Sequence, residues 1–345
     1  MTGLLDHLIA TPIADAVRDH RAGVLRHAEG VHRALIETED DRFTHADRVG
    51  LALATARAIG DPILVDWFTE LAEDAGDADQ GVLDAWSSLV TTMIDHPRKV
   101  DAPMINSLVA GHGEARVVVV CELVSYLAFL SRLVFALSGG RGGGTAQTPQ
   151  PGEFQVTMKA RLWEPYVAPL PARSLAEVTP AEREAFEATG KGAETGEYYR
   201  VLAHDPTSLR ERSLMYNLIM YDDGGLPSAD REFAALWTSM RNGCPYCASV
   251  HVRRLQGLTD RSTAQAALTA AHHQQDHDQL TDRQRVLAAA AEALTDRDAT
   301  ALDKALADAR TGGLTETELF DLIAVVAVFG WANRLMLALG SSRER

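Results

Sequence analysis

Cysteine is scarce in this chain: its 345 residues include three, Cys121, Cys244 and Cys247. So few exclude a disulfide-stapled scaffold and suit a reducing compartment. An excess of basic charge is also missing. Lys and Arg number 33 against 48 Asp and Glu, a formal net charge of -15. Such an acidic surface disfavours nucleic-acid phosphates as partners. Met1–Ala10 holds Asp6 and His7 and lacks the long apolar run of a signal peptide. The expected location is cytoplasmic. No stretch alternates apolar and polar residues in a way that demands a sheet. What is present is length enough for two domains with cores of their own.

Two long apolar runs stand out, Val117–Leu137 and Leu322–Leu339. Each approaches the length of a bilayer span. The first contains Glu122 and Arg132, the second Asn333 and Arg334, and charge near mid-span is costly. They are expected to be central or interface helices of a helical protein, with no membrane partner.

Helix signals fill most of the second half. Leu209–Met220 carries apolar residues at Leu214, Met215, Leu218 and Ile219. Ser228 is the expected N-cap of a helix that reaches Arg241 and stops at Asn242-Gly243. Cys244-Pro245 opens the next, which runs to about Gln256 and stops at Gly257. Thr281 caps a helix through Leu294, and Thr300–Ala309 forms another, broken by Gly312-Gly313. Thr315 caps the last, which ends at Gly340. Leu162–Pro171 is too rich in proline for a helix and reads as an extended arm pinned by Trp163 and Tyr166. The expected fold class is all-α.

The chain also resembles itself. A shift of 183 positions lays Ala46-Asp47-Arg48 on Ala229-Asp230-Arg231, Leu53 and Thr55 on Leu236 and Thr238, and Gly60 and Pro62 on Gly243 and Pro245. Leu35-Ile36 then falls on Leu218-Ile219. Near the C-terminus the offset grows to 202, with Arg132-Leu133 on Arg334-Leu335. Two domains of one fold are expected. The first covers residues 1–138, a Gly/Pro-rich linker covers 139–152, and the second, with its arm, covers 153–345.

Cys244-Pro245-Tyr246-Cys247 with His251 is the feature that points to chemistry. On one helix, positions i, i+3 and i+7 share a face, so two thiols and an imidazole become neighbours. A redox thiol must be a thiolate. The helix start and His251 are expected to hold Cys247 well below the ordinary thiol value of about 8.5, with Glu232 on the preceding helix orienting His251. A sulfenic acid on one thiol can then condense with the other. The same cysteines can also be inert core residues. They can bind zinc with His251 and Glu232, although no second Cys-x-x-Cys completes a common zinc set. Cys121 reads as core. His272, His273 and His277 read as a solvated loop rather than a metal tract. Met215, Tyr216, Met220 and Tyr221 read as core or interface filler.

Glu232, eleven residues, Cys244-x-x-Cys247, three residues and His251 resemble the active-site pattern of the alkylhydroperoxidase D-like, or carboxymuconolactone decarboxylase-like, superfamily. Trp331-Ala332-Asn333-Arg334-Leu335 is similar to that family's C-terminal helix. The first domain looks like a degenerate copy, with Asp61, Leu64, Phe68 and Val49 at the places of Cys244, Cys247, His251 and Glu232. The resemblance implies two tandem helical domains, a homo-oligomer, thiol-dependent peroxidase activity and no metal or organic cofactor. It implies that Cys247 is the buried thiol that meets a peroxide substrate. Cys244, nearer the surface, would resolve it and pass the disulfide to a dithiol or lipoyl-type protein reductant. Glu232 and His251 would relay protons. Tyr246 stands where well-studied members have a histidine, and its hydroxyl can donate a hydrogen bond. The alternatives are a disulfide oxidoreductase without peroxidase activity and a lyase of the decarboxylase branch.

Overall fold

A computed structural model describes residues 21–141, 143, 154–273 and 277–345. The expectations for Met1–Ala10, for most of the linker and for the middle of the histidine tract lie outside the described residues.

Apart from one two-stranded ribbon, the regular structure of the described residues is helical. Helix α1 (Ala22–His32) continues as a π turn at Arg33–Glu37. It is followed by α2 (His45–Ile59), α3 (Pro62–Ala75), α4 (Gln80–Asp95), α5 (Ala102–His112) and α6 (Glu114–Leu137). Strand β1 (Arg161–Pro165), α7 (Pro180–Thr189) and α8 (Glu197–Leu202) then lead into α9 (Pro206–Tyr221), α10 (Ser228–Arg241) and α11 (Pro245–Leu258). Next come α12 (Arg261–His273), α13 (Asp282–Asp296), α14 (Ala299–Thr311), α15 (Glu316–Leu339) and strand β2 (Gly340–Glu344).

The helix bounds recur at the two sequence offsets. Pro62 and Ala75 fall on Pro245 and Leu258 at the shorter one, so α3 overlies α11. Glu114 and Leu137 fall on Glu316 and Leu339 at the longer one, so α6 overlies α15. Helix α12 has no counterpart between α3 and α4 and takes up the difference.

The two apolar runs are partners. Helices α6 and α15 pack along each other and form the centre of the core. Both are long and apolar enough to cross a membrane by length and composition, yet here they are almost wholly buried in protein. Each large apolar side chain so covered contributes about 1.5–3 kcal/mol, which is why nearly every face of these helices is apolar. Polar side chains on them reach partners across the core. Trp331 Nε1 on α15 donates to Glu122 Oε2 on α6 at 2.8 Å. Arg132 donates to the carbonyls of Ala128 and Thr295, both at 2.9 Å.

Burial raises the Glu122 carboxyl to about 7, against an opposing pull from Arg212. Its Oε1 has no hydrogen-bond partner. Such a group contributes stability below its ordinary pKa and loses it as pH rises through the folded value. Glu122→Gln keeps an acceptor for Trp331 and removes the ionisation. Between roughly pH 5 and pH 8 the native chain should lose up to about 3 kcal/mol relative to this variant. Denaturant titrations of both proteins at the two pH values measure this. A constant difference would show that Glu122 does not ionise in this range.

Local signals place most helix ends. Thr281 forms a capping box with Gln284, and Thr315 one with Glu318. Two expectations need correction. Ser228 is the first residue of α10, not its cap. Pro227 holds that place, and its carbonyl accepts from the N–H groups of Asp230 and Arg231. The chain also contains a small sheet where none was expected. The proline-rich arm pairs antiparallel with the chain's end as β1–β2, Trp163 opposite Ser342 and Pro165 opposite Gly340. Five residues of main-chain pairing need no alternating pattern. Trp163 anchors the arm by donating from Nε1 to Met336 O at 3.0 Å. Glycine at 340 permits the approach, since a Cβ there would lie 2.5 Å from the Trp163 ring and 2.6 Å from Glu164 O.

Candidate active site

The turn between α10 and α11 builds the site. Gly243 takes φ 72°, a left-handed conformation that glycine adopts freely. Cys244 then folds back, its N–H donating to Ser239 O at 2.9 Å. It is the N-cap of α11 rather than a residue of its first turn, and Pro245 follows at the first helical position. Cys247 lies in the first turn and His251 one turn on, so their side chains meet on one face.

Helix α10 runs back alongside α11 and presents Glu232. Its Oε2 lies 2.6 Å from His251 Nδ1, and both side chains are buried. With the carboxylate as acceptor, Nδ1 is the donor of this pair, which leaves Nε2 as the other ring nitrogen. Phe329 meets the imidazole edge-on at 4.5 Å between ring centres and fixes its tilt. Arg254 holds the other side of the same carboxylate, Nη1 to Oε1 at 3.5 Å, and donates to the Tyr221 hydroxyl.

All three cysteines are free thiols. Cys121 is fully buried on α6, as expected for core, and burial pushes its thiol up. The expected difference in depth between the other two is not present. Cys244 is 1 % exposed and Cys247 5 %. Cys244 lies where the arm and the first half of the chain converge. It lines a cavity of about 180 Å³ with Arg98, Val100, Trp163 and Tyr166. Cys247 and His251 open instead onto a larger cavity of about 480 Å³. Tyr246 reaches the walls of both.

The expectation of a lowered Cys247 thiol is also overturned. A hydrogen bond to Cys244 and then burial push it well above the ordinary range, while an Asn333 hydrogen bond and the Arg212 charge pull the other way. Both causes favour the protonated thiol over the thiolate. Burial likewise raises the Tyr246 phenol, which leaves it a donor near neutrality.

Several residues at or beside the site were given no part in it by the sequence. Asn333, a polar residue inside an apolar run, accepts from Asn242 Nδ2 at 3.0 Å and donates to Ser239 Oγ at 3.1 Å. Tyr216 and Tyr221, expected as filler, line the larger cavity with Tyr198 and Tyr199 of α8. Met215 and Met220 are buried, as expected. Arg212 of α9 is the least visible of all. Its guanidinium lies 5.8 Å from the Tyr198 ring centre and 5.6 Å from that of Trp331. Outside the site, His277 packs edge-on against Trp237 at 5.4 Å. Among the described residues, no three His, Cys, Asp or Glu side chains cluster in a way that could hold a metal ion.

Comparison with known proteins singles out the same segment. Residues 206–271 match the carboxymuconolactone decarboxylase family. No curated protein matches the chain. Among solved structures, the chain is similar to an alkylhydroperoxidase AhpD core from Ralstonia eutropha JMP134, described as an uncharacterized peroxidase-related protein. The two are 25% identical with a TM-score of 0.41, over 48% of this chain and 87% of that one. It is also similar to an uncharacterized peroxidase-related protein from Silicibacter sp. TM1040, at 21% identity and TM-score 0.41, over 56% of this chain and 96% of the other. The matched span runs from α9 through most of α12 and carries Glu232, Cys244, Cys247 and His251.

Proposed function

We propose that the protein is a dithiol hydroperoxidase. The observation that supports this most is the larger cavity, whose wall holds a free thiol, Cys247, and an imidazole whose Nδ1 is held by a buried carboxylate at 2.6 Å. His251 Nε2 takes the Cys247 proton as the sulfur attacks the terminal oxygen of ROOH. The O–O bond breaks, and the imidazolium returns the proton to the departing alkoxide. The products are Cys247–SOH and ROH. Cys244–SH then attacks the sulfenic sulfur, forming the disulfide and releasing water. A dithiol reductant restores both thiols and leaves as its own disulfide.

The first half takes a structural part in this reading. Asp61 sits at the N-cap of α3, in the place of Cys244, and accepts from the N–H groups of Ile63 and Leu64 at 3.1 and 3.3 Å. Ser131 donates to it at 2.9 Å. A carboxylate used as a cap stands where the second half has a thiol. Residues 1–138 are then a degenerate copy whose α6 serves as the permanent partner of α15.

Steady-state consumption of an organic hydroperoxide, with dithiothreitol or dihydrolipoamide as reductant, tests the activity. Turnover that needs the dithiol and tracks hydroperoxide loss is the expected result. Disulfide exchange with the hydroperoxide untouched would overturn it in favour of a disulfide oxidoreductase.

A further inference from the structure

The cavity beside Cys247 is far larger than hydrogen peroxide requires. About 480 Å³ is the size of a pocket for an organic molecule, whereas a water-sized solute needs roughly 30 Å³. Its wall combines an apolar body with cationic ends. Leu162, Tyr199, Tyr216, Phe329 and Met336 supply the first. Arg161, Arg212 and Arg254 supply the second, against Glu197 at the exposed rim. In a chain of net charge -15, three guanidinium groups around one cavity point to an anionic guest.

The three arginines are not equally engaged. Arg254 is tied to Glu232 and Tyr221. Arg161 is tied to Ser342, Nη2 to the carbonyl oxygen at 3.1 Å, and pairs with Glu344 at 3.8 Å. Arg212 is 5 % exposed. It donates from Nη2 to the Tyr198 hydroxyl at 3.2 Å, and its Nη1 makes no hydrogen bond among the described residues. A guanidinium at a cavity wall with donor capacity left over suits an anionic acceptor.

We propose that Arg212 anchors a carboxylate, and that the substrate is an amphipathic organic hydroperoxide bearing one. The proposal rests on the reading of this cavity as the hydroperoxide site. The acid group meets Arg212, the apolar body lies against Tyr216 and Phe329, and the hydroperoxide faces Cys247 and His251. The charge of Glu122 on α6 favours the charged form of Arg212.

The test separates binding from turnover. Calorimetry with phenylvalerate, a redox-inert acid, and with its methyl ester reads the anchor alone. The acid should bind about tenfold more tightly or better, and Arg212→Met should erase the difference. Because Arg212→Met leaves Glu122 buried without its counter-charge, the pair Arg212→Met with Glu122→Gln is measured alongside. Kinetics with a carboxylate-bearing hydroperoxide and its ester should show the same preference in KM, with kcat little changed. Equal binding of acid and ester, or a preference that survives both variants, overturns the anion site whatever the enzyme turns over. Arg212-dependent binding without hydroperoxide consumption keeps the anion site and overturns the peroxidase reading.

Discussion

Cys247→Ser should abolish hydroperoxide consumption, a fall of about 10³-fold or more, because the nucleophile itself is lost. Cys244→Ser should behave differently. Its Cys247 still faces the larger cavity with His251, so it should react once and stop as the sulfenic acid. A sulfenic-acid-trapping dione followed by peptide mass analysis reads this directly. The comparison also tests the assignment of roles, which does not follow from depth, since both thiols are buried. It follows from the cavities: Cys247 opens onto the larger, Cys244 onto the smaller. Full activity in Cys247→Ser with loss in Cys244→Ser would reverse the two roles.

His251→Ala should slow oxidation of the dithiol by about 10²- to 10⁴-fold, the usual worth of a positioned base. The pH dependence gives the sign. Cys247 is raised, by its hydrogen bond to Cys244 and by burial, so the protonated thiol dominates at neutral pH and the reactive thiolate grows as pH rises. With His251 present the proton has an acceptor, and the rate should level off early. Without it the rate should climb about tenfold per pH unit across the alkaline range. Stopped-flow tryptophan fluorescence during a single oxidation measures both profiles. Identical slopes would remove His251 from the proton transfer. Glu232→Gln should fall between the two, because it keeps an acceptor for Nδ1 and loses the carboxylate.

Much of this site was legible because its parts are local. The i and i+4 spacing that joins Cys247 to His251 belongs to any helix, and Gly243 marks the turn that sets α10 beside α11. The capping boxes at Thr281 and Thr315 are likewise read from four residues each. What stayed hidden depends on parts of the chain far apart in sequence. Cys244 shares a cavity wall with Trp163 of the arm and Val100 of the first half, and no spacing around Cys244 records that. Arg212 and Tyr198 become cavity walls only when α8 and α9 fold over α15. The β1–β2 ribbon is held by main-chain hydrogen bonds, which side-chain patterns do not encode. Glu122 is an intermediate case: a carboxylate in an apolar run signals a buried partner, and the partner proved to be Trp331 in the other half.

The dithiol cycle is tested most directly by the mass of one peptide. The reduced protein is treated with one equivalent of cumene hydroperoxide, alkylated and digested, and the fragment spanning Cys244 and Cys247 is weighed. The expected result is complete loss of alkylation on that fragment and a mass lower by two hydrogens, with Cys121 unchanged. A fragment that still takes two alkyl groups while the hydroperoxide is consumed would contradict the dithiol cycle.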